Sequence, residues 1–344
     1  MTRTHENSLR TYLLTRIALA VPTVLILLTM VFLLMRVAPG NPIQAALGGH
    51  VPQAQIQARE HRAGYDRPIL TQYVEYLKDA LTLNLGDSLT DHTPVTTIIT
   101  DNGAATLELT IAAFFVAVVV GVSIGLVAGR WRDTPWDVGG RMFGIVIYAA
   151  PVFFLGLLAQ LVFADLLGWL PVSGRASPEV TATLSQHTHL FLIDTLIDGD
   201  LNAFWDCFLH LILPAVTLGL VTSGVLIRLV RVNLMQTMKG DYVEAARARG
   251  VGERRVVIHH AFRNALVPVI TVAGLQLALL LGGAILTEET FNWPGIGFQL
   301  VRYLNERDYI AVQGIITVFA LAVVAVSVLI DLVNAFIDPR VRYS

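Results

Sequence analysis

Charged side chains fall out of this sequence in six long intervals, and that spacing carries the first prediction. Residues 17–35, 109–129, 142–164, 207–227, 264–287 and 309–330 contain no Asp, Glu, Lys or Arg, and each interval is 19 to 24 residues long. About 20 residues at 1.5 Å each cross a hydrocarbon layer of about 30 Å. Backbone groups in lipid must bond within their own segment, so each interval is expected to be a helix. A soluble protein with six buried helices would show shorter, one-sided apolar stripes instead. The expected fold class is therefore an all-α integral membrane protein with six transmembrane helices. The first interval is too long for a signal-peptide h-region, and Ala18-Leu19-Ala20 sits too near its start to be a cleavage site, so it is retained as helix one.

Between the intervals the pattern changes. Residues 36–103 carry turn signals at Pro39-Gly40-Asn41-Pro42 and Asp66-Arg67-Pro68 around an expected helix at 69–81, which together read as a small subdomain. Residues 104–337 are expected to form the transmembrane core (helices two to six), residues 228–264 within it a basic loop of two short helices meeting near Gly250 and Gly252, and residues 338–344 a short tail.

Composition agrees, at 54% hydrophobic and 15% charged. Charge then orients the chain. Arg3, Arg10 and Arg16, then Arg130, Arg132 and Arg141, then eight basic residues from Arg228 to Arg263, then Arg340 and Arg342 fall in alternate loops. These are 16 of the 24 basic residues, so both termini and the 228–264 loop are expected on the cytoplasmic side. Residues 168–206 hold only Arg175 against five acidic residues, which suits an outer loop.

Several chemistries are excluded. A P-loop needs Gly-Lys followed by Ser or Thr. The only lysines, Lys78 and Lys239, follow Leu77 and Met238, so ATP is not held that way. Glu108, Asp165 and Asp331 stand at interval edges, where they are expected to reach water or headgroups rather than form a mid-membrane relay. Gly121-Val122-Ser123-Ile124-Gly125 matches a hydrolase elbow, but that motif requires a strand-to-helix turn. Inside an apolar interval, Gly121, Gly125 and Gly129 read as a stripe for close helix packing. His259 and His260 are neighbours, which diverge by about 100° on a helix; they read as loop histidines at the membrane surface. Cys207 has no partner, and no metal site is expected.

The most informative motif is Tyr242-Val243-Glu244-Ala245-Ala246-Arg247-Ala248-Arg249-Gly250. It offers a short helix with a carboxylate in its first turn, small residues that admit a close neighbour, and a glycine that can end it. Glu-Ala-Ala, three residues, then Gly resembles the signature of bacterial ABC-importer permeases. Further stretches resemble the first permease type of the peptide/oligopeptide/nickel branch: Ala38-Pro39-Gly40-Asn41-Pro42, Asn84-Leu85-Gly86-Asp87-Ser88, Gly168-Trp169-Leu170-Pro171-Val172-Ser173-Gly174, Phe291-Asn292-Trp293-Pro294-Gly295-Ile296-Gly297, and Asp338-Pro339-Arg340-Val341-Arg342-Tyr343. Pro268, the next proline after the signature glycine, comes later than in many ABC permeases, a spacing that itself resembles the peptide branch, whereas the 176–206 loop is longer and more acidic than that branch implies.

The resemblance implies a transport subunit, not an enzyme, in the prokaryotic plasma (inner) membrane. Tyr242, Glu244, Ala245, Ala246, Arg249 and Gly250 would form a coupling helix that docks on an ATPase. The implied partners are a second homologous permease, two ATPase subunits that bind ATP and Mg, an extracytoplasmic substrate-binding protein, a peptide substrate and the lipid bilayer. No nucleic acid and no cofactor on this chain are implied. A nickel-chelate or other small-solute importer remains the alternative, and beyond it a stand-alone channel or ion-driven carrier. An intramembrane enzyme would lack a nucleophile–base set.

Overall fold

The computed structural model describes residues 2–37 and 66–337, and among these every regular element is helical. The long helices are α1 (Thr2–Val37), α3 (Val95–Arg130), α8 (Leu201–Thr237), α11 (Arg263–Gly283) and α14 (Tyr309–Ile337). Shorter helices join them: α2 (Ile69–Thr82), α4 (Pro135–Ala149), α5 (Val152–Ala159), α6 (Pro178–Thr183), α7 (Phe191–Ile197), α9 (Asp241–Ala248), α10 (Glu253–Arg255), α12 (Ile285–Phe291) and α13 (Ile296–Asn305). α2 falls where the turn signals predict a helix; Pro39-Gly40-Asn41-Pro42, the rest of 38–65 and the 338–344 tail lie outside the described residues.

Five helical stretches are long and apolar enough to span a membrane. The third interval, 142–164, is instead two helices bent by 102°. Pro151 explains the break. The residue before a proline is driven out of the α region, and Ala150 sits at φ −75°, ψ 135°. The continuation is further altered by a π-helical turn, Gln160–Leu166, whose Gln160 amide donates to the Val172 and Thr290 carbonyls at 2.8 and 3.0 Å.

The bent pair still returns the chain across the bilayer, because α3 and α8 are parallel. Gly121, Gly125 and Gly129 on α3 meet Leu226, Val230 and Leu234 on α8 in step. Two parallel spans require one crossing between them, and only the α4–α5 pair lies there. Six crossings result.

α3 and α8 form the centre of the bundle. A core cluster joins Ala105, Leu109 and Ala113 of α3 to Leu211, Ala215 and Leu218 of α8, with Leu280 and Trp293 closing it. α1 runs antiparallel to α14: Arg16 pairs with Asp331 at 3.4 Å, while Met35 packs near Val312 and Ile315. The N-terminal side of α14 packs against the start of α3, where Gly314 meets Val95. The start of α1, the ends of α3, α8 and α14, and helix α9 therefore share one end of the molecule.

Glu108 does not reach water as expected. It is 8% exposed and ion-paired with Arg175, itself 5% exposed. His259 and His260 are not in a loop either. They lie in a π-helical turn, Val256–Phe262, that runs without interruption from α10 into α11. The second short helix of the basic loop is thus the extended foot of the fifth span, and its first turn starts just after Gly252.

Candidate functional site

The sequence motif folds into α9 with two distinct faces. Val243 and Ala246 are fully buried against Leu234, Val256, Val257 and Ala261. Tyr242, Glu244, Ala245, Arg247, Ala248 and Arg249 are exposed. Ala246 is therefore spent on the chain's own packing, whereas Glu244 and Ala245 present a small-residue, acidic surface outward. Asp241 and Glu244 occupy the first turn, where the helix N-terminus favours negative charge.

Backbone chemistry fixes where α9 stops. The Val251 amide donates to the Ala246 carbonyl at 3.2 Å, and the Gly250 amide donates to the Arg247 carbonyl at 2.9 Å. This pair of bonds is a Schellman cap, whose penultimate residue must be left-handed; Gly250 has φ +77°. Arg247 then clamps the cap to the foot of the fifth span, donating to Glu253 at 2.8 and 3.2 Å. That bond, reinforced by the opposite charge, raises the Arg247 pKa, so the guanidinium is charged at any cellular pH. At the other end, the Tyr242 hydroxyl donates to the Thr237 carbonyl at 3.2 Å.

Leu234 links α9 to the centre of the bundle. It is fully buried beneath Val243 and Ala246, and its Cδ2 would lie 2.9 Å from a Cβ built on Gly129. The glycine stripe and the motif helix are thus one continuous packed unit. One turn before Leu234, Arg231 donates to the buried Asp137 carboxylate at 2.5 and 2.9 Å, tying the end of α8 to the start of α4. A displacement of α9 therefore bears on a rigid α3–α8–α4 assembly rather than on a loose loop.

At the opposite end, sequence reasoning misses two polar centres. The first is Glu108, which accepts from Arg175 at 2.7 and 2.9 Å and from the Leu192 amide at 3.0 Å. The Arg175 guanidinium also donates to the His189 carbonyl at 2.7 Å and stacks 3.8 Å from the Phe191 ring centroid. The second is Glu288, fully buried, which accepts from the Thr106 hydroxyl at 2.7 Å and the Phe298 amide at 2.8 Å. Trp293 beside it donates to the Ala105 carbonyl at 2.9 Å. The one available signal was Arg175, the single cation of a segment with five acidic residues. No group of three or more His, Cys, Asp or Glu side chains able to hold a metal occurs among the described residues.

Fold and composition define a polytopic α-helical membrane protein with a small exposed helix held rigidly at one end. Residues 121–343 match the family described as the binding-protein-dependent transport system inner membrane component, and residues 9–110 match the N-terminal family of such membrane components. The chain belongs to this family of inner-membrane transport components. It is 38% identical over 333 residues to the dipeptide transport system permease protein DppB of Alkalihalophilus pseudofirmus, covering 96% of this chain and 99% of that one. It is 38% identical over 329 residues to the di/tripeptide permease DppB of Pseudomonas aeruginosa, covering 95% and 97%. Against the glutathione transport system permease protein GsiC of Pectobacterium atrosepticum the identity is 34% over 332 residues, covering 96% and 99%. Among solved structures, an inward-facing MetNI methionine ABC transporter shares the fold, with TM-score 0.54 at 15% identity, covering 71% of this chain and 98% of that one.

Proposed function

We propose that this chain is one half of the membrane pathway of an ATP-driven peptide importer, and that α9 is its coupling helix. The observation that carries the reading is the continuity from the exposed Glu244–Ala245 face, through Leu234, to the α3–α8 glycine stripe. The chain has no P-loop of its own, so a second subunit must supply the stroke. The end bearing α9 collects Arg130, Arg132, Arg228, Arg254 and Arg255, which supports a cytoplasmic placement with both chain termini on that side. Two ATPase subunits, a second permease and an extracytoplasmic binding protein complete the assembly. Short peptides are the substrate class, because the relatives carry the names dipeptide, di/tripeptide and glutathione permease.

Alternating access needs contacts that differ between two states. Closure of the ATPase pair pulls α9, and the α3–α8–α4 unit tilts with it to open the opposite end toward the binding protein. In reconstituted vesicles, Glu244→Lys reverses the charge on the docking face and Gly250→Pro breaks the cap, since proline cannot adopt φ +77°. Both variants are expected to insert and assemble while ATP hydrolysis continues without peptide uptake. Coupled uptake at the normal rate by both would count against the assignment. In the same assay unlabelled dipeptides should suppress labelled dipeptide uptake and excess nickel should not; the reverse pattern would reassign the substrate.

A further inference from the structure

Helices α11 and α12 follow one another closely and share one exposed face. Asn264, Thr271, Leu275, Gly282, Leu286 and Glu289 recur along it at intervals of three, four and seven residues, the spacing of a single helix side. The face is polar at both ends, and a Cβ built on Gly282 would meet nothing within 4 Å. The other sides of α11 are packed, with Ala273 clustered with Ala117 and Leu226, and Gly274 against Ile330. Gln276 stands half-buried at the margin of the exposed face, beside the exposed Leu275 and Leu279.

Gln276 is deep in the membrane. It occupies the middle of the charge-free stretch 264–287. Packing places it there independently. One turn toward α9, Ala273 joins Ala117 of α3 and Leu226 of α8; one turn the other way, Leu280 joins Leu109, Ala113 and Leu211. Gln276 thus lies between two core layers built from the charge-free stretches of three helices. Its carboxamide makes no hydrogen bond among the described residues. In hydrocarbon such an amide has no water to turn to, and its desolvation goes uncompensated. The exposed face of α1 shows what lipid requires instead. Leu25, Ile26 and Met30 there are apolar, and the exposed Thr23 hydroxyl donates to the Leu19 carbonyl at 2.9 Å. Polar side chains left open at membrane depth face a water-filled cavity or a polar partner.

We propose that the exposed face of α11 and α12 lines the translocation pathway, and that Gln276 is a mid-membrane contact for the peptide backbone. The inference rests on the reading of this chain as half of a peptide pathway. A carboxamide offers two N–H donors and a carbonyl acceptor. Every peptide bond not formed by proline presents the complementary pair. Gln276 therefore holds the feature that short peptides share and ignores their side chains. Glu289 stands on the same face at the end remote from α9, where it meets the ammonium group of an entering peptide.

The test uses the assembled transporter in phospholipid nanodiscs, which expose both membrane faces, and a charged, membrane-impermeant methanethiosulfonate reagent. Native Cys207 is 2% exposed, so the complex with the unsubstituted chain sets the background. Ile26→Cys, on the apolar face of α1, sets the rate for a thiol outside the pathway. Gln276→Cys is expected to react faster than that without nucleotide, with a non-hydrolysable ATP analogue, or in both states. Reaction no faster than at residue 26 in either state would overturn the proposal, by placing the amide against lipid or the second permease. Gln276→Leu keeps the bulk and removes the amide. Dipeptide uptake in vesicles should then fall about two- to tenfold, the loss of one net hydrogen bond, with ATP hydrolysis retained. Unchanged uptake would overturn the peptide contact. A reactive residue 276 in a complex whose unsubstituted form takes up no peptide would support the pathway and refute the substrate class instead.

Discussion

Replacing Gly125 with leucine is expected to abolish folding of the central helix pair. A Cβ at this position would lie 2.7 Å from the Val230 Cβ and 2.9 Å from the Ile227 carbonyl oxygen. Neither atom is the free end of a flexible side chain, so the two backbones must separate. Overpacking of a core costs about 1–3 kcal/mol when side chains can shift, and more when they cannot. Separation at Gly125 also unseats Gly121, whose added Cβ would lie 2.5 Å from that of Leu226. The effect should be graded along the stripe. Gly129→Ala meets only the Leu234 Cδ2 at 2.9 Å before any backbone atom, and should be milder than Gly121→Ala or Gly125→Ala. Gly139→Ala, with nothing within 4 Å, is the control and should be neutral or slightly stabilising, because alanine is the better helix former. Thermal midpoints of the detergent-purified chain report the order. Equal tolerance at Gly125 and Gly139 would contradict the packing.

The second large effect is expected at the Glu108–Arg175 pair. Removing one partner of a buried ion pair costs about 3–5 kcal/mol, because the other charge is left without compensation. Glu108→Ala strands the Arg175 guanidinium between Phe191 and Trp293, with the His189 carbonyl as its remaining acceptor. Arg175→Ala leaves Glu108 with the Leu192 amide alone. Each single variant should loosen the 168–206 segment, seen as faster proteolysis there and a lower thermal midpoint. The double variant Glu108→Leu with Arg175→Met removes both charges and should recover most of the loss. Double-variant damage equal to the sum of the singles would show that the two side chains act independently.

Much of the architecture is legible in the chain, and the failures have identifiable causes. The charge-free intervals locate the apolar spans because lipid tolerates neither exposed charge nor open backbone. The 102° bend in the third interval is invisible to composition, since both halves are equally apolar; only Pro151 marks it. Glu108 is misplaced because an acidic residue at an interval edge looks solvated until its partner is found 67 positions away. The burial of Ala246, unlike that of its neighbour Ala245, depends on which side of α9 meets Leu234, and two adjacent alanines cannot report that. Glu288 becomes conspicuous only once Thr106 and the Phe298 amide converge on it.

In the proposed function α9 is the handle by which another subunit moves this bundle. Cysteine cross-linking of Ala245→Cys tests it, because Ala245 is exposed and the single native thiol, Cys207, is buried. In the assembled transporter, a cysteine at residue 245 is predicted to cross-link to an ATPase subunit, and the cross-link should halt uptake until it is reduced. A cross-link restricted to the extracytoplasmic binding protein, or unimpaired uptake with residue 245 covalently bound to the ATPase, would contradict it.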